Sequence, residues 1–305
     1  MSAKADSNPA LRLAVSFEKE MEGVDMDYQW YKKGSALLQE IQDTQLPDGL
    51  FSLWYIGQMG MVVKWKGHIL CLDPVLGAMP GPDGEDRRNY SVPFRSEELK
   101  AEYVLCTHAH GDHMHRETLV GMAQANPQLK VILPWSLVET ARGFGIPQVQ
   151  LLGACQDQEL VLGDEIRITP VATAHETYRW DAEGHSETLG YLIRLGCHLL
   201  FHSGDTIVTP QLVAALRKAG GVDVAMLPIN GRDLARNQRN IVGNMNAREA
   251  CWFAEEIGAD LTVPLHYDMI DGNQEDPLIF AAYMERYAPA KKYHIFRLGE
   301  RCIVS

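Results

Sequence analysis

Two series of short apolar runs, each followed by helical stretches, constrain the fold of this chain more than any other sequence feature. The first series begins at Leu50 with the runs FSLWYIG, MVVKWKG and HILCLD, which glycines separate as in a β-meander. The second begins near residue 159 and alternates strands with helices to the end of the chain. Because sheets and helices each have an apolar face to cover, the pattern predicts two sheets packed face to face with helices outside. The predicted fold class is α/β, in a four-layer α/β/β/α arrangement.

The boundaries of the individual elements follow from apolar periodicity and from turn residues. The predicted strands beyond the first meander are 101–107, 130–134, 159–162, 165–172, 188–195, 198–202, 222–229, 261–266, 293–298 and 302–305. The predicted helices are 30–42, 117–126, 135–143, 210–218, 246–257 and 277–287. Asn246 and Asp276 are expected to cap the last two helices, and Pro277 stands at the first position of the final one.

Residues 1–48 differ in composition from the rest of the chain. They are polar, are helix-prone around 30–42, and end in the chain breaker Leu46-Pro47-Asp48-Gly49. We therefore predict an N-terminal helical extension over 1–48 and one domain over 49–305.

The charge and the cysteine pattern limit the partners and the compartment that we expect. Lys plus Arg number 28 against 40 Asp plus Glu, a formal net charge of −12, and no basic run is present. Nucleic acid is therefore not an expected partner, because phosphate contacts require clustered Lys and Arg. Neither a membrane span nor a secretory signal is predicted from the apolar runs. Six scattered cysteines indicate reduced, buried thiols in a cytoplasmic protein, and a homo-oligomer is the expected assembly.

Four of the eleven histidines lie in the run Thr107-His108-Ala109-His110-Gly111-Asp112-His113-Met114-His115. The run follows a predicted strand and precedes a predicted helix, a position that holds side chains rigidly and leaves them open to a cleft. Imidazole binds zinc, manganese and iron(II), and a carboxylate adds an oxygen ligand. His108 and His110 point the same way if strand geometry continues, and the turn at Gly111 returns Asp112 and His113 toward a second site. The run therefore predicts two adjacent metal sites.

Three further residues of metal-ligand type occupy the same structural position, the end of a predicted strand. His175 follows strand 165–172, Asp205 follows strand 198–202 after a glycine, and His266 ends strand 261–266. One strand-end histidine is weak evidence for a metal, but the set as a whole extends the histidine-rich run. His115 is expected to be structural, since the set is complete without it.

The segment THAHGDH resembles the HxHxDH signature of the metallo-β-lactamase-fold hydrolases, and His175, Asp205 and His266 follow in the order of that family. The resemblance covers about residues 50–305. Several segments are similar to the L-ascorbate-6-phosphate lactonase branch: LWYIGQMGMVVKWKG with CLDP, LLFHSGDT, VDVAMLPINGR and MNAREACWFAEEIGADLTVPLHYDM.

The resemblance implies the αββα metallo-β-lactamase fold with two mixed sheets, and a metal-dependent hydrolase. It implies a lactonase that acts on a small anionic sugar-acid metabolite such as L-ascorbate 6-phosphate. Two divalent ions, manganese or zinc, are implied with seven ligands: His108, His110 and His175 at the first ion, Asp112, His113 and His266 at the second, and Asp205 between them. Asp112 is also the implied catalytic residue, which orients the attacking water and accepts its proton.

A second group of residues is predicted to contact the substrate. The loop 230–240 follows a buried strand and carries three arginines, whose side chains are well matched to phosphate. Other polar residues lie beside the predicted ligands in the sequence. The predicted substrate-binding residues are Arg179, His185, His202, Asn230, Arg232, Arg236, Arg239 and Tyr267.

Other functions of the same fold stay open at this point. A hydrolase similar to N-acylphosphatidylethanolamine phospholipase, or another phosphodiesterase, would need an apolar channel or a membrane-binding face. A one-iron dioxygenase would keep the HxHxDH signature and leave the second site empty. A diiron flavoprotein would need Glu where His110 stands, and a nuclease would need a basic patch. A metal-binding module without turnover would not need the full ligand set.

Overall fold

The computed structural model describes residues 28–163, 165–238 and 241–305. Within them, the strands form two seven-stranded sheets. The strands are β1 (Phe51–Gly57), β2 (Gly60–Trp65), β3 (His68–Leu72), β4 (Tyr103–Leu105), β5 (Lys130–Pro134), β6 (Leu151–Ala154), β7 (Leu160–Leu162), β8 (Ile166–Ala172), β9 (Leu189–Leu195), β10 (His198–His202), β11 (Val224–Pro228), β12 (Leu261–Leu265), β13 (Lys292–Tyr293) and β14 (Arg301–Val304).

The first sheet has the strand order β14-β1-β2-β3-β4-β5-β6. Strands β1, β2 and β3 form the antiparallel meander that the glycine-separated runs predict, and β3 to β6 are parallel. The last strand of the chain, β14, pairs with β1 in antiparallel register, with Phe51 opposite Val304. The start and the end of the domain are therefore joined in one sheet.

The second sheet has the strand order β13-β12-β11-β10-β9-β8-β7. Strands β7 to β10 are antiparallel, and β10 to β13 are parallel. Because β10, β11 and β12 run side by side in one direction, their carboxyl ends lie at the same edge of the sheet. Asp205 follows β10 and His266 follows β12 at this edge.

Helices cover the outer faces of both sheets. They are α1 (Gly34–Asp43), α2 (Arg116–Ala125), α3 (Val138–Gly143), α4 (Pro210–Lys218), α5 (Leu234–Gln238), α6 (Ala247–Glu256) and α7 (Pro277–Tyr287). Helices α1 to α3 pack on the first sheet, α4, α6 and α7 pack on the second, and a third apolar cluster lies between the sheets. The predicted four-layer αββα fold is confirmed. No helix of the described residues has the length and apolar character needed to cross a membrane.

Strand β1 shows how one strand serves two layers. Leu53 and Tyr55 belong to the cluster between the sheets, whereas Trp54 and Ile56 belong to the cluster under the helices. Successive side chains of a strand point to opposite faces, so the continuous run FSLWYIG is buried on both sides. Each buried aliphatic side chain of this kind contributes about 1.5–3 kcal/mol by its removal from water.

Both predicted helix caps are confirmed. The side chain of Asn246 accepts from Glu249 N, and the Glu249 carboxylate accepts from Asn246 N, which closes a capping box at the start of α6. Asp276 accepts from Leu278 N at the start of α7. These local bonds explain why the beginnings of the two helices could be read from sequence.

The described part of the predicted N-terminal extension packs on the first sheet. Leu37 and Ile41 of α1 are fully buried against its outer face. The ammonium of Lys64 donates to the carbonyl oxygens of Ile41 and Gln42 at 2.7 and 2.6 Å. Residues 28–48 thus form part of the helical layer of the domain. Residues 1–27 of the predicted extension lie outside the described residues.

Several predicted elements differ from the structure. The predicted strand 293–298 pairs only at Lys292–Tyr293, because the chain then turns to the N-terminal segment, where Tyr31 N donates to Leu298 O. The predicted loop 230–240 contains α5, and the predicted helix 135–143 begins with a 3₁₀ turn before α3. All six cysteines are unpaired, but Cys197 is exposed in the turn between β9 and β10, and Cys155 and Cys302 are partly exposed. The prediction of buried thiols therefore holds for the other three only.

Candidate metal centre

The candidate metal centre lies where strand ends of the two sheets meet. The first sheet contributes the loop between β4 and α2, in which His113 N and Met114 N both donate to His110 O and close a tight turn. The second sheet contributes residues that follow β8, β10 and β12. Hydrogen bonds between neighbouring strands fix the backbone at these strand ends. The side chains that converge there therefore have little conformational freedom.

The structure brings together all seven residues predicted as ligands, in two groups. Within each group, one potential ligand atom per residue lies within 4.8 Å of every other. The first group consists of His108, His110, His175 and Asp205, and the second of Asp112, His113 and His266.

Asp205 lies between the two groups. Its Oδ2 is 3.6 Å from His175 Nε2 of the first group and 3.2 Å from His266 Nε2 of the second. Its Oδ1 is 3.2 Å from His113 Nε2. A single carboxylate therefore faces histidines of both groups, as a residue bridging two ions would.

The centre is buried on most sides and open on one. His108, His113, His175, Asp205 and His266 are all buried. His110 is exposed and Asp112 is partly exposed, so the loop around Gly111 forms the opening. A small molecule can reach the centre from this side.

Two buried polar atoms at the centre point to a cation. His113 Nε2 and Asp205 Oδ1 are buried and lie 3.2 Å apart, yet neither has a well-aligned hydrogen-bond partner within the described protein. An unsatisfied buried polar atom costs about 1–3 kcal/mol. Imidazole nitrogen and carboxylate oxygen are ligands of zinc, manganese and iron, so a divalent ion between these atoms satisfies both. The donor set present thus fits the metal that the sequence predicts.

Asp73, at the end of β3, holds the second group in place. Its carboxylate accepts from His113 Nδ1 at 2.8 Å, from His202 Nε2 at 3.1 Å, and from Thr107 N and Oγ1 at 2.8 and 2.7 Å. Because Nδ1 of His113 is bonded to Asp73, its Nε2 faces the centre. The sequence reasoning missed Asp73, although the segment CLDP at a strand end was the available signal.

Gln58, in the turn between β1 and β2, is a second residue that sequence reasoning missed. It is buried, and its Nε2 donates to Asp112 Oδ2 at 2.8 Å and lies 3.1 Å from His266 Nε2. The segment YIGQMG gave no sign of this role, because glutamine in a turn is ordinary.

Comparison with known protein families identifies the chain. The profile of the beta-lactamase superfamily domain matches residues 68–267. The chain belongs to the beta-lactamase superfamily.

Relatives of this superfamily member cover most of its length. A UPF0173 protein of Pyrococcus abyssi is 31% identical over 224 residues, which are 73% of this chain and 86% of that protein. A UPF0173 metal-dependent hydrolase of Pyrobaculum neutrophilum is 25% identical over 242 residues, 79% of this chain and 94% of that protein. The solved structure of Igni18, a metallo hydrolase from Ignicoccus hospitalis, has a TM-score of 0.65 at 20% identity and covers 84% of this chain and 99% of that chain. At 20% identity, the similarity to Igni18 shows a shared fold and no more.

The carboxylates and imidazoles of this superfamily member shift one another's pKa values. Burial disfavours the charged form of His266, but Asp205 and Asp112 outweigh burial and raise the pKa of His266 to about 9. The same balance raises the pKa of His113. Burial opposes the ionisation of Asp112 and Asp205, yet His113 and His266 hold the pKa of both carboxyls well below the usual range. The centre therefore attracts positive charge, and a divalent ion displaces such imidazole protons when it binds.

His115 is structural, as predicted. Its Nδ1 accepts from Thr118 N and its Nε2 donates to Ala78 O at 3.1 Å, so the imidazole caps α2 and ties it to the preceding loop. It lies in neither ligand group.

Two of the predicted substrate-binding residues have no exposed surface. His202 is bonded to Asp73, and Asn230 is bonded to Asn244 and Asn273. Full burial corrects the role predicted for His202 and Asn230, because a side chain without exposed surface supports the walls of the centre and does not touch a ligand.

The described arginines of the predicted anion loop are bonded to neighbouring groups of the protein. Arg232 pairs with Glu249 at 2.6 Å, and Arg236 donates to Asn230 O. These guanidinium groups brace the segment after β11, and their predicted contact with an anionic substrate stays a prediction. Arg239 lies outside the described residues.

The other predicted substrate residues follow the ligands His175 and His266 in the chain. Arg179 is exposed on the loop after His175, and its guanidinium forms no hydrogen bond or ion pair with any described residue. His185, farther along this loop, is partly exposed, and its Nδ1 is 3.1 Å from Asp181 Oδ2. Tyr267 is buried, and its hydroxyl donates to a backbone carbonyl. Arg179 is therefore the predicted substrate residue that is most available to an anion.

Proposed function

We propose that this protein is a metal-dependent hydrolase with two divalent metal ions, and that it opens small anionic lactones. The observation that carries the proposal is the pair of ligand groups on either side of Asp205. His108, His110 and His175 would hold one ion, Asp112, His113 and His266 the other, and Asp205 would bridge them. Manganese and zinc both suit these ligands.

The residues of the chain divide the work of hydrolysis by position. When bound, two such ions supply an activated water and polarise the bond to be cleaved. Asp112 is the ligand carboxylate on the open side of the centre, so it can orient the attacking water and accept its proton. His113 and His266 are buried, so they shield their own side of the centre from other water.

A hydrolase accounts for this centre better than a one-iron dioxygenase does. A single ion needs only the first group, whereas Asp112, His113 and His266 form a complete second group with its own supporting residues. Burying the ionisable side chains of His113 and His266 for no ligand would be costly.

An anionic lactone such as L-ascorbate 6-phosphate is the proposed substrate for two reasons. The segments LWYIGQMGMVVKWKG, LLFHSGDT and VDVAMLPINGR are similar to the lactonase branch. Arg179, on the loop after the ligand His175, offers a free and exposed guanidinium, and such a group matches a phosphate or carboxylate in geometry and charge.

The test is a metal analysis of protein purified without chelators, combined with assays on three substrate classes. We expect two ions per chain and ring opening of L-ascorbate 6-phosphate at a rate well above that of an uncharged lactone or a phosphodiester. His110→Ala should lose the first ion and turnover, whereas His68→Ala, at a partly exposed position outside both ligand groups, should keep both. One iron per chain would contradict the two-ion centre, and a preferred phosphodiester would contradict the lactonase.

A further inference from the structure

Gln58 occupies an unfavourable backbone conformation inside the protein. It lies in the tight turn between β1 and β2, its φ is +58°, and it is 1% exposed. Residues other than glycine seldom adopt this left-handed conformation, and it costs of order 1–3 kcal/mol unless the surroundings enforce it. A buried polar side chain in such a turn calls for a specific reason.

A buried carboxylate and two tyrosines enforce the conformation of this turn. Asp268 accepts from the hydroxyls of Tyr55 and Tyr90, both at 2.7 Å, and from Gln58 N at 3.3 Å. Tyr90 OH also lies 3.2 Å from Gln58 N. Hydrogen bonds to the backbone N–H of Gln58 therefore hold the turn in place.

Gln58 itself contacts two ligands of the second group. The carbonyl oxygen of Gln58 accepts from His266 N at 2.9 Å, and His266 itself has a left-handed φ of +61°. The side-chain Nε2 of Gln58 donates to Asp112 Oδ2 at 2.8 Å and lies 3.1 Å from His266 Nε2. One residue thus links a ligand from each sheet.

We infer that Gln58 is a positioning residue of the second metal site, which fixes the carboxylate of Asp112 through its amide and the backbone of His266 through its carbonyl. The inference rests on the second metal site of the proposed function. An amide that donates to one carboxylate oxygen fixes the rotation of the carboxylate and hence the face that it presents to the ion. Residues of this kind, which bond to metal ligands, typically change metal affinity about 10- to 100-fold when they are removed.

The test is a cobalt titration of metal-free protein, followed by visible absorption, with wild type, Gln58→Met and Gln58→Gly. Methionine keeps the approximate volume of glutamine and lacks the donor, and glycine removes the side chain while it tolerates φ +58°. We expect both variants to bind the first equivalent of Co²⁺ as wild type does. The Kd of the second equivalent should rise about 10- to 100-fold.

Gln150→Met is the matched control. Gln150 is also a buried glutamine, but its amide donates to the backbone carbonyls of Ala123, Asn126 and Leu129 under the first sheet. It should lower the Tm and leave both cobalt affinities unchanged.

Three results would overturn the inference. The Kd of the second Co²⁺ could stay within about twofold of wild type in Gln58→Met while it rises in Asp112→Asn. That result would overturn the inference about Gln58 and leave the proposed function standing. Equal weakening of both cobalt sites in step with a Tm loss would reduce Gln58 to a folding role. An unchanged second Kd in Asp112→Asn would overturn the second metal site itself, and the proposed function with it.

Discussion

The two sheets contribute to the metal centre in different ways. The first sheet supplies His108, His110, Asp112 and His113 from one short loop, closed by hydrogen bonds to a single carbonyl. The second supplies its ligands from three separate strand ends, spread over residues 175–266. A dense loop is visible as a motif, whereas scattered strand ends become a site only through the order of strands in a sheet.

The difference extends to the residues that hold the ligands. The loop of the first sheet is tied to the second sheet through Asp73, which bonds both His113 and His202. Asp205 in turn faces histidines from both sheets. The centre therefore links the two sheets, and a substitution in one sheet should alter the position of ligands in the other.

The largest effect is expected from Asp205→Ala, because this carboxylate faces both groups. Removing one partner from a buried set of charges costs about 3–5 kcal/mol, so both metal affinities should fall at least about 100-fold and turnover should be lost. Metal content after gel filtration measures the change. Asp260→Ala, at an exposed ion pair with Lys292, is the control. Full retention of one ion would show that Asp205 serves a single site.

Equal effects are expected when one ligand of the first group is removed from either sheet. His110→Ala and His175→Ala should each lose the first ion and keep the second, since each removes one imidazole from the same set of four. The measurement is the stoichiometry of bound metal, with His68→Ala, at a partly exposed histidine outside both ligand groups, as the control. If only the loop variant loses metal, the second sheet contributes walls and not ligands.

A smaller effect is expected from Asp73→Asn, which preserves shape and removes the charge that orients His113. The affinity of the second site should fall about 10- to 100-fold while the first site changes less. A stepwise metal titration distinguishes the two sites. Equal losses of metal affinity at both sites would mean that Asp73 stabilises the contact between the two sheets as a whole and not His113 in particular.

The smallest effect is expected from pH, and it has a definite sign. In metal-free protein the pKa of His266 is raised from 6.5 to about 9, so the stability from its proton is complete below pH 6.5 and is lost as pH rises through 9. Bound metal needs neutral imidazole, so the Tm gap between metal-loaded and metal-free protein should widen from pH 6.5 to 9. Calorimetry with and without a chelator measures the gap, and a constant gap would contradict this balance of charges.

Much of the fold was within reach of the sequence because its signals are local. Short apolar runs separated by glycines located β1 to β3, and cap residues located the starts of α6 and α7. The segment 293–298 shows the limit, since it looks like a strand but pairs for two residues before Tyr31 takes up its backbone. A local sequence pattern does not show which distant segment will form hydrogen bonds with a given stretch of backbone.

The candidate site divides along the same line. The loop from His108 to His113 could be found because its residues are neighbours in the chain. Gln58 and Asp73 could not, because each acts through hydrogen bonds to residues far away in sequence. Arg232 resembled a free anion-binding group until the fold paired it with Glu249.

The sequence by itself determined which elements form and that ligand-type side chains stand at their ends, since strand alternation, turns and caps depend on neighbouring residues. The tertiary structure decided which of those ends meet. The parallel order of β10, β11 and β12 brings Asp205 and His266 to one edge, and the packing of the sheets sets that edge against the loop of the first. The physical reason is that a metal centre needs distances of a few ångströms between residues that only long-range backbone pairing can bring together.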